Sequence, residues 1–201
     1  MASFTRPPTP ARLVPLLAQY EHASARLLDR MAGPVRDSGN GQEIGNAPMT
    51  DAEYFREPVP GCWSVRRRPD GRWGRDTAPA PHPVPPPFTT LAWRLSHLTE
   101  MLALRSDHTD GTRSLVREEF DPAGDAESAV ASYAKAATAW RSTLLRVDDA
   151  ALDTVGYSRY PYGSDAEDLF LEIVWWVNQE VLHHGAEIAL LRDLYASHPD
   201  R

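Results

Sequence analysis

Proline sets the first limit on what this chain can fold into. Of its 18 prolines, nine fall between Pro58 and Pro87 and only three follow Phe88. Proline removes a backbone donor and breaks helix interiors, so the chain divides at about Phe88 into a broken half and a half open to long helices. No sustained period of two or 3.6 runs from Gly33 to Pro87, only turn clusters such as Asp37-Ser-Gly-Asn-Gly41 and the proline run Pro79 to Pro87. A segment this long without elements inside a compact chain more often carries function than nothing. Residues 33–87 are therefore expected to wrap the helices, anchored by Tyr54, Trp63 and Trp73, with a short helical turn near Thr50 to Phe55.

Four amphipathic helices are expected around that segment. Leu13, Leu16, Leu17, Tyr20, Leu27, Leu28 and Met31 recur at helical spacing, with Gly33-Pro34 as the stop, predicting a first helix over about Ala11 to Ala32. Thr89 or Thr90 caps a second, whose stripe Leu91, Leu95, Leu98 and Leu102 runs to about Ser106. A polar connection, Asp110 to Gly124, leads to a third helix starting near Asp125, with Val130, Tyr133, Ala134, Ala137, Trp140, Leu144 and Val147 inward. The fourth is expected to open on the capping-box sequence Ser164-Asp-Ala-Glu167 and run to about Tyr195. With no credible alternating strands and no repeat, the fold class is all-α: a four-helix bundle forming a single domain over 1–201. The long connection between the first and second helices is enough chain to cross the bundle and leaves those two free to run parallel.

Composition narrows the function. The 201 residues carry 21 Lys and Arg against 28 Asp and Glu, a net charge of −7, and only one short basic run, Arg66-Arg67-Arg68. General nucleic-acid binding needs clustered cations to neutralise phosphates, so it is disfavoured. The single cysteine, Cys62, rules out an intramolecular disulfide framework and fits a reducing compartment. Met1 to Pro10 lacks the apolar core of a signal peptide, and no stretch approaches the roughly 18 apolar residues of a membrane span. The expected location is cytoplasmic, with no membrane partner.

The fourth helix carries the chemistry. Its inward row reads Leu169, Ile173, Trp176 or Val177, Glu180, His184, Ile188, Leu191 and Tyr195, so two ionisable side chains interrupt an apolar stripe. Glu180 and His184 are at i and i+4 and project side by side, the spacing at which one helix offers two ligands to one metal ion. On periodicity alone the same pair also reads as an ordinary surface contact worth a few tenths of a kcal/mol. A register shifted by one helix position, about 100° around, would make His183 and Glu187 the rival ligand pair. On the second helix His97 stands in line with Trp93, Met101 and Leu104 and can turn toward the core as a third ligand. Two His and one carboxylate leave open positions on an ion, as catalytic sites do.

Four segments carry a resemblance to a known family. They are Asp51-Ala-Glu-Tyr54, Pro58-Val-Pro-Gly-Cys-Trp-Ser-Val65, Leu91-Ala-Trp-Arg-Leu-Ser-His97-Leu and Asn178-Gln-Glu-Val-Leu-His-His-Gly-Ala-Glu-Ile188. With these the chain resembles the DinB-like superfamily of small metal-binding four-helix bundles, above all its actinobacterial branch, which includes the mycothiol-dependent maleylpyruvate isomerases. The resemblance implies a divalent metal held by His97, Glu180 and His184. Many relatives have His in place of Glu180, whereas the mycothiol-linked isomerases resemble this sequence in using His, Glu and His. A carboxylate makes the site harder, so zinc is the first expectation, with nickel, iron or manganese as alternatives. The chemistry implied is a low-molecular-weight thiol such as mycothiol, bound as thiolate for transfer to, or isomerisation of, a small electrophile. The alternative is a metal-binding or small-molecule-binding bundle without turnover. Relatives are commonly dimers, and a homodimer is expected.

Other residues admit blander readings. Arg66 and Arg68, continued by Arg72 and Arg75, read either as a solvated loop or as an anion site for a carboxylate-bearing thiol or substrate. Cys62 is expected to be buried and structural, and Trp63 to pack as an anchor. His22, His82, His108 and His198 are expected to be solvated. Trp175 and Trp176 read as packing residues, and an exposed Trp175 would support self-association.

Overall fold

A computed structural model describes residues 8–33, 35–36, 43–44, 46–78, 83–162 and 167–198. In chain order the elements are α1 (Leu13–Met31), the short pair β1 (Val35–Arg36) and β2 (Glu43–Ile44), α2 (Asp51–Tyr54), β3 (Val65–Arg67) and β4 (Trp73–Arg75). They continue with α3 (Leu91–Asp110), a 3-10 turn at Arg117–Glu119, α4 (Ala126–Leu144), α5 (Asp149–Leu152) and α6 (Phe170–Ser197). The four long helices form the expected all-α bundle around one cluster of buried side chains.

Packing seams run α1/α6, α6/α3, α3/α4 and α4/α1, which sets α1 and α3 across a diagonal. Polar contacts give the directions. Asn178 donates to the Leu16 carbonyl and Arg30 to the Ala189 carbonyl, so α1 and α6 are parallel. Tyr20 reaches Ala137 and Tyr133 reaches Ser24, so α1 and α4 are antiparallel. Arg94 meets Glu187 while His97 meets Glu180, so α3 and α6 are antiparallel as well. The long connection thus delivers α3 antiparallel to α1, not parallel to it. The parallel neighbours are α1/α6 and α3/α4.

Local chemistry explains the ends. The Thr90 hydroxyl accepts from the Trp93 N–H at 3.2 Å, and the Asp125 carboxylate accepts from the Ser128 N–H at 2.7 Å. The anticipated box Ser164 to Glu167 has Ser164, Asp165 and Ala166 outside the described residues. The helix begins instead at Phe170, where the Glu172 carboxylate accepts from the Leu169 N–H. The stripe of α1 lands as read, with Leu13, Leu17, Tyr20, Leu27 and Met31 buried, and Tyr133, Ala137, Trp140 and Leu144 do the same on α4.

Helix α3 runs four residues past its apolar stripe because it is buried on most sides. Polar side chains inside a helix-rich core must be satisfied. Here the hydroxyls of Thr99, Ser106 and Thr109 donate back to the carbonyls of Leu95, Leu102 and Arg105 within the helix, and Ser96 to that of Trp93.

The wrapping segment is more ordered than its sequence period suggested. The short helical turn expected near Thr50 to Phe55 is α2, and a reciprocal capping box between Thr50 and Glu53 starts it. Pro69-Asp70-Gly71 closes β3 onto β4 as a hairpin, with Gly71 at φ +86° and the Arg72 N–H on the Asp70 carboxylate. The cluster Asp37 to Gly41 and residues 79–82 lie outside the described residues. Tyr54 is fully buried and donates to the Ala123 carbonyl, and Trp73 stacks on Phe55 at 5.5 Å. Arg192 of α6 fastens this segment to the bundle: it bonds Glu53, the Ala47 carbonyl and the carbonyl of Arg30.

Burial alone would push the Glu53 carboxyl up, but the Thr50 N–H and the Arg192 guanidinium outweigh it and hold the group below its ordinary value. A folded-state value below the unfolded one contributes stability above an unfolded pKa of about 4.3, lost as pH falls toward the folded value. Glu53→Gln should therefore cost about 1–3 kcal/mol at pH 7, and the gap to wild type should shrink below about pH 4. Urea denaturation at pH 7 and pH 3 checks this; an unchanged gap at pH 3 would contradict it.

Candidate metal centre

The antiparallel α3/α6 seam brings the candidate ligands together. On α3 the His97 ring is stacked against Trp93, with centroids 5.4 Å apart and planes 20° apart, and the Arg75 guanidinium lies over the Trp93 ring at 5.3 Å. On α6 Glu180 and His184 are one turn apart. His97 Nε2 lies 3.1 Å and His184 Nε2 3.5 Å from the same oxygen, Glu180 Oε2. One ligand atom from each of the three residues lies within 4.8 Å of the others.

Protonation favours metal binding. Burial lowers the pKa of His97 and so favours the neutral imidazole, the form that ligates a metal. Burial would raise the Glu180 carboxyl, but its contacts with His184 and His97 outweigh that and hold it well below the usual carboxylate range. The set also contains a conflict that a cation resolves. His184 Nδ1 faces the Glu187 carboxylate at 2.7 Å while its Nε2 faces Glu180. A neutral imidazole has a single N–H, so it can donate to only one of the two carboxylates. An ion among His97 Nε2, Glu180 Oε2 and His184 Nε2 turns the remaining acceptor-to-acceptor contact into coordination, so the residues fit a divalent metal.

The rival register fails on position. The His183 side chain is 61% exposed against 13% for His184; it stacks on the His184 ring and meets Glu187 Oε1 at 3.3 Å. Val177, not Trp176, continues the inward row, since Val177 is fully buried and Trp176 37% exposed.

The resemblance can now be tested. The sequence profile of the DinB superfamily matches residues 46–188, most of the chain, including α3 and the ligand-bearing part of α6. The chain belongs to the DinB superfamily. No curated protein and no solved structure matches it. Membership agrees with the helical bundle and with a His/Glu cluster at its seam.

A cavity of about 620 Å³ opens at His97 in this DinB protein, with Glu100, Arg105, Arg117, Tyr160 and Trp176 among its walls. Glu100, one turn beyond His97, is buried and held by Arg75 and Arg117. Arg105 lies between the rings of Tyr160 and Trp176, at 4.2 and 4.9 Å, and burial lowers its pKa to about 10. The Arg117 guanidinium donates to the Tyr160 hydroxyl at 2.7 Å.

The arginine run contributes differently from its sequence reading. Arg66 is exposed and paired with Glu57 and Asp76, and Arg68 lies over Gly74 on the hairpin. Arg75 is the member that reaches the bundle interior. Cys62 is buried, which raises its thiol pKa, as a structural role requires. His108, expected in solvent, is buried, with Nε2 against the Leu115 carbonyl at 2.8 Å. His22 and His198 are exposed as expected, and His82 lies outside the described residues.

Sequence reasoning missed Arg94, which meets Glu187 across the seam, and the cavity arginines Arg105 and Arg117. The signal for Arg94 was present: it precedes His97 by three residues as Glu187 follows His184 by three, a charge pair one turn further along an antiparallel seam.

His97→Ala and His184→Ala should each abolish stoichiometric zinc binding, while His183→Ala should leave it intact, as read by equilibrium dialysis with elemental analysis. Loss with His183→Ala and retention with His184→Ala would move the site to the rival register.

Proposed function

We propose that this protein is a metal-dependent DinB enzyme that uses a low-molecular-weight thiol of the mycothiol type to transfer to, or isomerise, a small electrophile. The observation that carries this reading is a three-ligand cluster one member of which, His97, lines a 620 Å³ cavity. Three protein ligands leave coordination positions for an exogenous group, the arrangement of catalytic rather than structural sites. His97, Glu180 and His184 would hold the ion, zinc first and nickel, iron or manganese as alternatives. A bound divalent ion supplies Lewis acidity that lowers the pKa of a thiol and makes it a nucleophile near neutral pH.

The chain's own groups supply the rest. Trp93 and Arg75 fix the plane of His97. Met101, Ile173 and Trp176 exclude water from one side of the cavity, and Arg105 and Arg117 place positive charge beside two tyrosine rings. The proposed partners are thus a small thiol and a small electrophile. Trp175, 57% exposed, supports a second copy of the chain as a further partner. No described helix is long and apolar enough to cross a membrane.

One observation favours the second reading, a metal-binding bundle without turnover. Glu100, the carboxylate nearest His97 along α3, has one oxygen on Arg75 and the other on Arg117, so both are occupied and neither is free to act as a base.

The test is conjugation of mycothiol, and of cysteine as a control thiol, to a fluorogenic alkyl halide. Zinc-loaded wild type should accelerate conjugation over buffer, and Glu180→Ala or chelator should remove the acceleration. Stoichiometric zinc with no acceleration by either thiol would leave the bundle without turnover.

A further inference from the structure

His184 faces two carboxylates, Glu187 at Nδ1 and Glu180 at Nε2, and the surroundings of Glu187 decide which ring nitrogen is turned to the ligand cluster. Glu187 follows His184 by one turn on α6, and its Oε2 lies 2.7 Å from His184 Nδ1. The same oxygen is met by the buried Arg94 guanidinium, which comes from α3 three residues before His97. On its other oxygen Glu187 receives His183 Nε2 at 3.3 Å. Glu187 is therefore held from both sides, while His184 is pinned against it by the stacked His183 ring, with centroids 4.8 Å apart and planes 13° apart.

We infer that Glu187 and Arg94 are positioning residues that fix His184 with its proton on Nδ1 and its Nε2 lone pair turned toward His97 and Glu180. This rests on the proposal of a metal at the triad. Free imidazole favours the proton on neither nitrogen strongly, so the hydrogen bond at one nitrogen sets which is free to coordinate. A carboxylate at Nδ1 takes the proton there and raises the basicity of Nε2, and partners of this kind commonly change metal affinity about 10- to 100-fold. Arg94, on the same Glu187 oxygen, keeps that carboxylate aimed at His184 Nδ1. The pair ties the site to the helix seam: α3 supplies a ligand at His97 and, one turn earlier, the brace for the ligand that α6 supplies.

The experiment is long-range ¹H–¹⁵N correlation of the histidine rings, with zinc affinity measured by chelator competition, on wild type, Glu187→Ala, Glu187→Gln, Arg94→Gln and His183→Ala. Metal-free wild type should show His184 protonated on Nδ1, and Glu187→Ala should move the proton to Nε2, where it donates to Glu180. Zinc affinity should fall about 10- to 100-fold in Glu187→Ala, and less in Glu187→Gln, whose amide oxygen still accepts. Arg94→Gln should lower it as well, and His183→Ala, which leaves Arg94 and His184 on Glu187, should lower it less than Glu187→Ala. The glutamine variants preserve side-chain size, so a folding defect in the alanine variant does not decide the question. An Nε2-protonated His184 in metal-free wild type, or the same tautomer and affinity in Glu187→Ala as in wild type, would overturn the inference. Zinc failing to bind wild type would sink the metal reading separately, and the metal-free tautomer would still decide the role of Glu187.

Discussion

The antiparallel seam between α3 and α6 is the constraint on which the rest depends. It sets His97 opposite Glu180 and His184 with three ligand atoms within 4.8 Å of one another. Without a cation that placement is electrostatically awkward, because two imidazoles and a carboxylate in a half-buried seam offer more acceptors than protons. A bundle needing only stability would fill such positions with apolar side chains, as α6 does at Ile173, Val177 and Ile188. The cost of three polar side chains there is what marks the site.

The fold supports that seam from both sides. Arg192 ties the wrapping segment to the carbonyls of Arg30 and Ala47 and to Glu53, so the chain before α3 is anchored on α1 and α6. The hairpin β3/β4 then carries Arg75 to Glu100 and over Trp93, whose ring packs on His97. The irregular segment thus acts on the candidate centre through one indole, and the charge it brings inside, Arg75, is met by Glu100 of α3, whose other oxygen takes Arg117 from the connection before α4.

Much of this was legible in the sequence. The stripes of α1 and α4 and the caps Thr50, Thr90 and Asp125 were readable because each rests on local spacing or one side chain's bond to nearby backbone. Glu180 and His184 were legible as an i, i+4 pair, but spacing alone also allowed His183 and Glu187. That choice belongs to tertiary packing, which turns His184 inward and leaves His183 at 61% exposure. The hairpin was hidden because three-residue strands are too short to show alternation, although Pro69-Asp70-Gly71 announced its turn. The end of α3 and the burial of His108 were hidden for another reason: after Leu104 the buried positions are the polar Arg105, Ser106, His108 and Thr109, of which Ser106 and Thr109 bond their own backbone, so the last turn has no apolar stripe to read. The four-residue α5, capped by Asp148, is about one helical turn and too short to show a repeat.

The central claim is that one divalent ion sits among His97, Glu180 and His184. Anomalous diffraction at the zinc edge from crystals of zinc-loaded protein tests it most directly. The account predicts a single strong peak about 2.0–2.2 Å from one nitrogen of each histidine and from a Glu180 oxygen. A peak beside His183 and Glu187, or zinc bound only at crystal-packing surfaces, would contradict it.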